Sequence, residues 1–562
     1  MSSYVFTSKS HGVDVEVDLS SQVLALEAIE QESFWLQRAR LSQQRNSNEP
    51  YLYPWLTGMH WGWAPAMAFA LKAKAFDDGL YAAVDLLMQH GTPLLPGKRG
   101  IVEHVHQELL SHWSPEAADP LRSALVLVRA ALSMTGTLEE PDKKLRLLVV
   151  KSLREFESDA GKSKPLGFYT WSSRLQALFK QDRLLQEELT PDVAQTLHAA
   201  LQTDEHLLDA WRRHLRLLGR LTNPLAKPAL DEEGDSRCFF PPSDSQEGRL
   251  VKELFSKKSP PEGFQLVDEL ITRIRSGRST TPTPRSGWYD HQFHALVPFL
   301  MPERMPEAKR LVLGPRYRAE LEKQFRALFA LTRETHIKQL EQAVAGSGGP
   351  PPLIIEPSLS IEPLAEFYRR RAEGYLFLRQ VLCELLGAPA LANIRRVMPT
   401  GETEEPLLDE LVWMEQLFRG AHAIVRQELG VEAVPEAWLP AAQITRRWLR
   451  QWKEDPALTQ DARCVVPLFF DRERQKTKVM AVLGFHPTDV VVDFKQPPKV
   501  RVTDSRGHAV SGLDVYFGAA EHPTVCPVTA ELYVSQVPDR AEFQAICDKY
   551  VSTRAILESL QG

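Results

Sequence analysis

At 562 residues the chain is too long for one ordinary hydrophobic core, so about two to four domains are expected. A hydrophobic content of 43% with a charged content of 25% belongs to a folded protein and excludes a disordered one. A formal net charge of −6 and a pI near 6.3 exclude a global attraction to nucleic acid, so no nucleic-acid partner is expected.

The N-terminus, MSSYVFTSKSHGVDVEVD, lacks the charged segment and apolar core of a secretory signal. The five cysteines (Cys238, Cys383, Cys464, Cys526 and Cys547) are odd in number and widely spaced, with no CxxC pair or Cys/His ligand spacing. They indicate neither a zinc ribbon nor a disulfide framework, and a reduced, cytoplasmic setting follows as the expectation. Residues 20–46 read as an amphipathic helix, with Val23, Leu26, Ile29, Phe34 and Leu41 recurring. The following segment crowds Tyr51, Tyr53, Trp55, Trp61 and Trp63 together, a density that seats a helix in a large core or lines a pocket. The most apolar window, 55–71, contains His60, glycines and Pro65 and is followed by Lys72 and Lys74, so no membrane span is expected.

Alanine-rich helices are expected from about Pro65, broken at Gly79 and again over 91–100. Next, His104, Glu108 and His112 lie four apart on one helix, in an order that differs from HExxH and reads as a solvated face. Residues 121–132 and 145–156 continue the helical pattern. Gly161-Lys162-Ser163 lacks the upstream glycine of a phosphate loop. A capped helix start is expected at Thr170 or Ser172, with helices running on to Leu221. LDEEGDSRCFFPPSDSQEG is acidic and turn-rich, and reads as a domain boundary or long surface loop. Helices are expected again from Leu250 and over 264–275.

The stretch 286–342 holds the densest mixture of aromatic, ionisable and helix-boundary residues. Ser286 predicts an N-cap, with Asp290 in the first turn, where the helix dipole favours a carboxylate. Tyr289, Phe293, Leu296, Val297 and Leu300 predict a buried stripe, and Pro298 a kink or an end nearby. Asp290, His291 and His294 fall along one edge of that stripe. A carboxylate with two imidazoles suits a metal half-site or an acid/base pair, and equally a helix-start carboxylate steadying a histidine at a packing boundary. A second helix begins near Tyr317, burying Leu321, Phe325, Leu328, Phe329 and Leu340. His336 projects from its apolar side, Glu334 points elsewhere, and antiparallel packing of the two helices would bring His336 towards His294.

GSGGPPP at 346–352 reads as a flexible, then stiff, linker. Helices follow over 363–386, 407–429 and 441–453, and the runs Arg369-Arg370-Arg371 and Arg446-Arg447 read as solvated helix faces. From about Cys464 the apolar period changes to two: CVVPLFF, KVMAVLGF, DVVVDF, KVRVTD, LDVYFG and ELYVSQV predict separate short strands, closed by a helix over 540–557. The expected fold is mainly α, with multi-helix domains packed together and a small antiparallel β-rich C-terminal module, α+β overall. The expected division is a helical domain over 1–225, an acidic loop or linker over 226–249, a second helical domain over 250–460 and the β-rich module with its terminal helix over 461–562.

Three pieces carry a resemblance: GFYTWS with the QDRLLQ that follows it, SGWYDHQFHAL, and the run from YRAELEKQFRALFALTRETHIKQL through GGPPPLIIEPSLSIEPLAEFYRRRAEGYLFLRQVL. Together they resemble an uncharacterised bacterial domain-of-unknown-function family, loosely over 160–540 and better over 286–385. The resemblance implies a mostly helical chain with a β-rich C-terminal portion and transfers no catalytic residue. Members often look exported, a feature from which this N-terminus departs.

Two functional classes follow. The expected one is a non-enzymatic interaction or regulatory protein, because phosphate loop, dinucleotide fingerprint, nucleophile elbow and HExxH are all missing from the sequence. It predicts another protein as partner, no cofactor, no deep polar pocket near the central stretch and an exposed apolar patch elsewhere. The alternative is a metal-assisted or acid/base hydrolytic enzyme with its site formed between helices by Asp290, His291, His294 and His336, joined by Tyr289. That reading requires these side chains to converge on one cavity.

Overall fold

Residues 5–8, 13–16, 52–56, 63–139, 142–255, 259–261, 263–278, 282–283, 285–336, 359–431, 435–495, 499–500, 515–516, 519–550 and 552–561 are described by a computed structural model. Helices dominate and the long antiparallel strands gather near the C-terminus, so the fold is mainly α with a β-rich C-terminal part. Strands β1 (Val5–Ser8) and β2 (Val13–Glu16) pair as a hairpin. The helix expected over 20–46 and the linker 346–352 lie outside the described residues.

Helix α1 (Ala66–His90) runs through Gly79, where the sequence predicts a break. The glycine serves close approach instead: a Cβ there would lie 2.2 Å from the Val397 carbonyl oxygen. Helices α2 (Lys98–Ser111), α3 (Asp119–Thr135), α4 (Lys143–Ser158), α5 (Ser173–Leu185), α6 (Pro191–Leu201) and α7 (Glu205–Leu221) follow. Ser172 caps α5, accepting from the Leu175 amide at 3.2 Å. His112, just past the end of α2, is exposed and His104 is half-buried beside Thr203, while the buried histidine of α2 is His106, 3.1 Å from Arg129. The acidic stretch folds back on the helices, since Leu230, Phe239 and Phe240 are buried and Trp211 donates to the Phe239 carbonyl at 3.0 Å.

Helices α8 (Gln246–Phe255), α9 (Leu266–Arg275) and α10 (Trp288–Leu300) lead into the central stretch. Gly287, not Ser286, occupies the N-cap of α10, because a Cβ there would sit 2.0 Å from the Thr222 carbonyl oxygen. The Ser286 hydroxyl accepts from the Thr283 amide at 2.7 Å instead. The helix ends two residues after Pro298, as its clash with the preceding turn dictates. After strand β3 (Leu311–Leu313), helix α11 (Pro315–Thr335) packs against α1, α10 and the C-terminal sheet. Tyr317, Leu321, Phe325, Leu328 and Phe329 are buried along it, whereas Leu340 lies outside the described residues.

Next come α12 (Ala365–Leu386), the hairpin β4 (Arg395–Met398) and β5 (Gly401–Pro406), α13 (Leu407–Leu429) and α14 (Leu439–Leu449). Of the arginine run on α12, Arg369 is 38% exposed but Arg371 only 7%, held by Asp77, so the run is not one solvated face. Strand β6 (Cys464–Asp471) turns into β7 (Lys476–Phe494), one continuous strand where KVMAVLGF and DVVVDF predict two. Gly484, at φ +137°, lies inside KVMAVLGF in a conformation L side chains rarely adopt, and the residues between the two expected strands, His486, Pro487 and Thr488, stay paired opposite Cys526, Val525 and Thr524. Strand β8 (Ala519–Val534) pairs with β7 along its length, and β6, Tyr53 and β3 share the other edge. One closing helix is expected, but two form, α15 (Arg540–Lys549) and α16 (Thr553–Gln561), the first opened by an Asp539/Glu542 capping box.

Both faces of this sheet are covered. Met480, Val482, Val490 and Val492 join the helical core, while Val479, Ala481 and Leu483 pack with Phe543, Ile556 and Leu560 of the terminal helices. A doubly covered strand reads as a continuous apolar run, which explains KVMAVLGF. The larger cluster of buried apolar side chains runs from Tyr53 to Val525 and draws on residues across 226–249. No helix among the described residues is long and apolar enough to cross a membrane.

Candidate functional site

A cavity of about 550 Å³ opens where α1, α13, the β4–β5 hairpin, the loop 455–462 and Arg540 at the start of α15 meet. Helix α1 presents two adjacent carboxylates to two different networks. Asp78 faces the cavity floor, where Lys74 donates to both of its oxygens at 2.5 Å and Thr335 donates to Oδ1 at 2.6 Å. Lys74 also lies 3.0 Å from Glu334, and Arg540 donates to the same Glu334 oxygen at 2.5 Å. Burial opposes the Lys74 ammonium, but Asp78 and Glu334 outweigh it and raise its pKa. Burial would likewise lift Glu334, yet Arg540 and Lys74 hold it at about 2. Burial pushes Asp78 upward against the pull of Lys74.

Asp77 turns the other way and accepts from Arg371 at 2.7 Å, Tyr375 at 2.8 Å and Gln292 at 2.8 Å. Since the Gln292 amide donates to Asp77, its oxygen must accept, and His336 Nε2 lies 2.7 Å from it. This assigns His336 the Nε2–H tautomer and leaves Nδ1 bare, with no hydrogen-bond partner among the described residues.

The cavity walls carry further matched charges. Arg396 forks onto Glu410 at 2.9 to 3.2 Å, above the Phe76 ring. Lys72 donates to Asp455 at 3.0 Å and lies 5.6 Å from the centre of the Trp413 ring. Asp455 also accepts from Trp448 at 2.7 Å. At the mouth, Glu405 and Asp409 are exposed.

The residues singled out by sequence occupy three separate environments. Asp290 is buried beside Gln246, 3.5 Å from its amide, and burial raises its pKa. His291 and His294 face α12: His291 stacks on Phe377 at 4.2 Å, and Arg370 donates to the His294 carbonyl at 2.9 Å. Burial lowers both imidazoles to about 4, helped by Arg220 beside His291 and Arg370 beside His294. Cations at those positions also oppose a bound metal ion. His336 sits among Tyr81, Trp288 and Tyr289, with ring centres 5.0 to 5.5 Å away. Burial lowers it to about 3, with Lys74 adding to the effect. The Tyr289 hydroxyl donates to Glu247 at 2.9 Å. No group of three or more His, Cys, Asp or Glu among the described residues is placed to hold a metal ion.

No family model, curated protein or solved structure matches this chain. What the site can do must therefore be read from its own chemistry. Its floor is a closed set of ion pairs that orients fixed charge, and its walls offer the indoles of Trp171 and Trp413. Sequence reasoning passes over Lys74, Asp78 and Arg540. Their one local signal is the KAFDD interruption in an apolar helix, where Lys and Asp at i and i+4 share a face that should be buried. Arg540 stands 206 positions from its partner Glu334, a separation no periodicity announces.

Proposed function

We propose that the protein is a non-enzymatic regulatory protein that takes a small organic molecule into the cavity above Lys74 and Asp78 and answers it through a protein partner. One observation carries this reading: a cavity of about 550 Å³, within the size range of small-molecule sites, lies over a floor whose charges are already paired. Acid/base catalysis calls for a group poised near neutral pH, whereas Lys74 is driven further towards its charged form and Glu334 is held at about 2. Asp78 is shifted upward, but Lys74 donates to both its oxygens and Thr335 to Oδ1, so it stands as a paired carboxylate and not as an isolated acid. The cavity is a departure from the expectation of no deep polar pocket, and it moves the interaction reading from an outer surface to an internal ligand. A cytoplasmic setting belongs to the same proposal, supported by five cysteines that are all free. Membership in the uncharacterised helical family belongs to it too, supported by the order of the three resembling segments.

The test is a fragment screen by ligand-observed NMR on the intact chain, repeated on Ala75→Trp, which fills the cavity from the α1 wall. Fragments that compete with one another and lose binding in the variant, with thermal stability retained, are the expected result. A screen in which no fragment is sensitive to Ala75→Trp abandons the cavity as the site of function.

A further inference from the structure

We infer that the ligand of this cavity is an organic cation, an amine or guanidinium carried on an apolar body; the inference rests on the cavity reading above. Residual charge at the cavity mouth favours a cation. Each cation lining the cavity already has its carboxylate: Lys72 has Asp455, Lys74 has Asp78 and Glu334, Arg396 has Glu410, and Arg540 has Glu334. Asp461 is likewise matched, by Arg463 at 2.6 Å. Glu405 and Asp409 are left over, exposed at the mouth and without an ion pair among the described residues. An anion entering here would have to break a pair to find a partner. A cation finds two free carboxylates, and low-dielectric walls focus their field into the opening.

The walls favour the same ligand. Arg396 covers the Phe76 ring and Lys72 approaches Trp413, so the protein itself places cations over these aromatic surfaces. Trp171 lines the cavity, is half-buried and makes its ring contact with Phe168 edge-on at 6.0 Å, and no side-chain cation of the described residues stands over it. Its face is therefore open to a ligand cation, while Met398, Met414 and Leu331 supply apolar contact for the body that carries it.

The experiment uses three probes of one shape and three charges: phenylbutylammonium, phenylbutanol and phenylbutyrate, titrated into the intact protein by tryptophan fluorescence and calorimetry. The ammonium probe is expected to bind about tenfold more tightly than the alcohol, with the carboxylate weakest and the preference shrinking as salt rises. The double variant Glu405→Gln, Asp409→Asn should bring the three probes to within about twofold, and both sites are exposed enough to keep the fold intact. Binding without a cation preference, or a preference that survives in the double variant, overturns the charge assignment and leaves the cavity reading standing. If none of the three binds in a manner abolished by Ala75→Trp, the cavity reading falls and takes this inference with it.

Discussion

His336 shows how one residue's chemistry is set by neighbours far away in sequence. Its Nε2 donates to Gln292, its Nδ1 has no partner among the described residues, and three aromatic rings enclose it. Burial, then Lys74, Arg333 and Arg371, lower its pKa from 6.5 to about 3. Between those values the unfolded chain binds a proton that the folded protein refuses, so its contribution to stability is present above pH 6.5 and lost as the pH falls. At pH 5 the expected loss is about 2 kcal/mol. His336→Gln keeps a donor for Gln292 and removes the titration. Urea unfolding at pH 7 and pH 5 should show the wild type losing about 2 kcal/mol more than the variant over that interval; equal losses would refute the assignment. That His336 is buried on an apolar face can be read from its spacing after Phe329. Its separation from His294 cannot, because the direction in which two helices present their side chains to each other is a property of their packing.

The pair Glu334 and Arg540 belongs to the scale of elements. Glu334 stands in the last turn of α11 and Arg540 in the first turn of α15, each at the end where its own helix dipole disfavours it. Each is tolerated because the other is there, and Lys74 completes the set. Removing Glu334 strands Arg540 and takes from Lys74 one of its two carboxylates, Asp78 remaining, so Glu334→Gln should cost about 3 kcal/mol. Arg540→Gln should cost less, since that side chain is 26% exposed and water replaces part of what is lost. A double-mutant cycle by chemical denaturation should return a coupling of about 1 kcal/mol or more, and strictly additive losses would disprove the link between the helices. Other elements differ in how visible they are. Long helices such as 407–429 declare themselves through period and flanking prolines, whereas RRVM and GETEEP carry no alternating apolar pattern, and their hairpin forms because α1 and α13 hold it. Gly79 reads as a helix breaker by propensity, yet α1 has both turns of tertiary support around it and the glycine admits β4.

At the scale of the molecule, the sheet and the helices share a core. Met480, Val482, Val490, Val492 and Val525 pack in one cluster with residues of α1, α10 to α13 and the segment 226–249. A chain truncated after residue 460 would leave the sheet-facing side of α11 in water, including fully buried Gln324, which donates to the Val525 carbonyl at 2.9 Å. The truncated chain is expected to bind a hydrophobic dye, to keep helical far-ultraviolet dichroism and to lose its near-ultraviolet signal and sharp melting transition. Cooperative melting of that piece would show that the helices need no sheet.

The chain's own order of residues determined which stretches become helices and where the period changes to that of strands, because those signals are local and repeat every few positions. It also determined that this is a folded chain of slightly acidic balance. Only the tertiary structure decided that His291 and His294 face one helix and His336 a different aromatic enclosure, while Lys74, Asp78, Glu334 and Arg540 meet beneath a cavity. The reason is physical: burying a charge is costly unless an opposite one arrives with it, and the partners that satisfy that condition come from segments hundreds of residues apart.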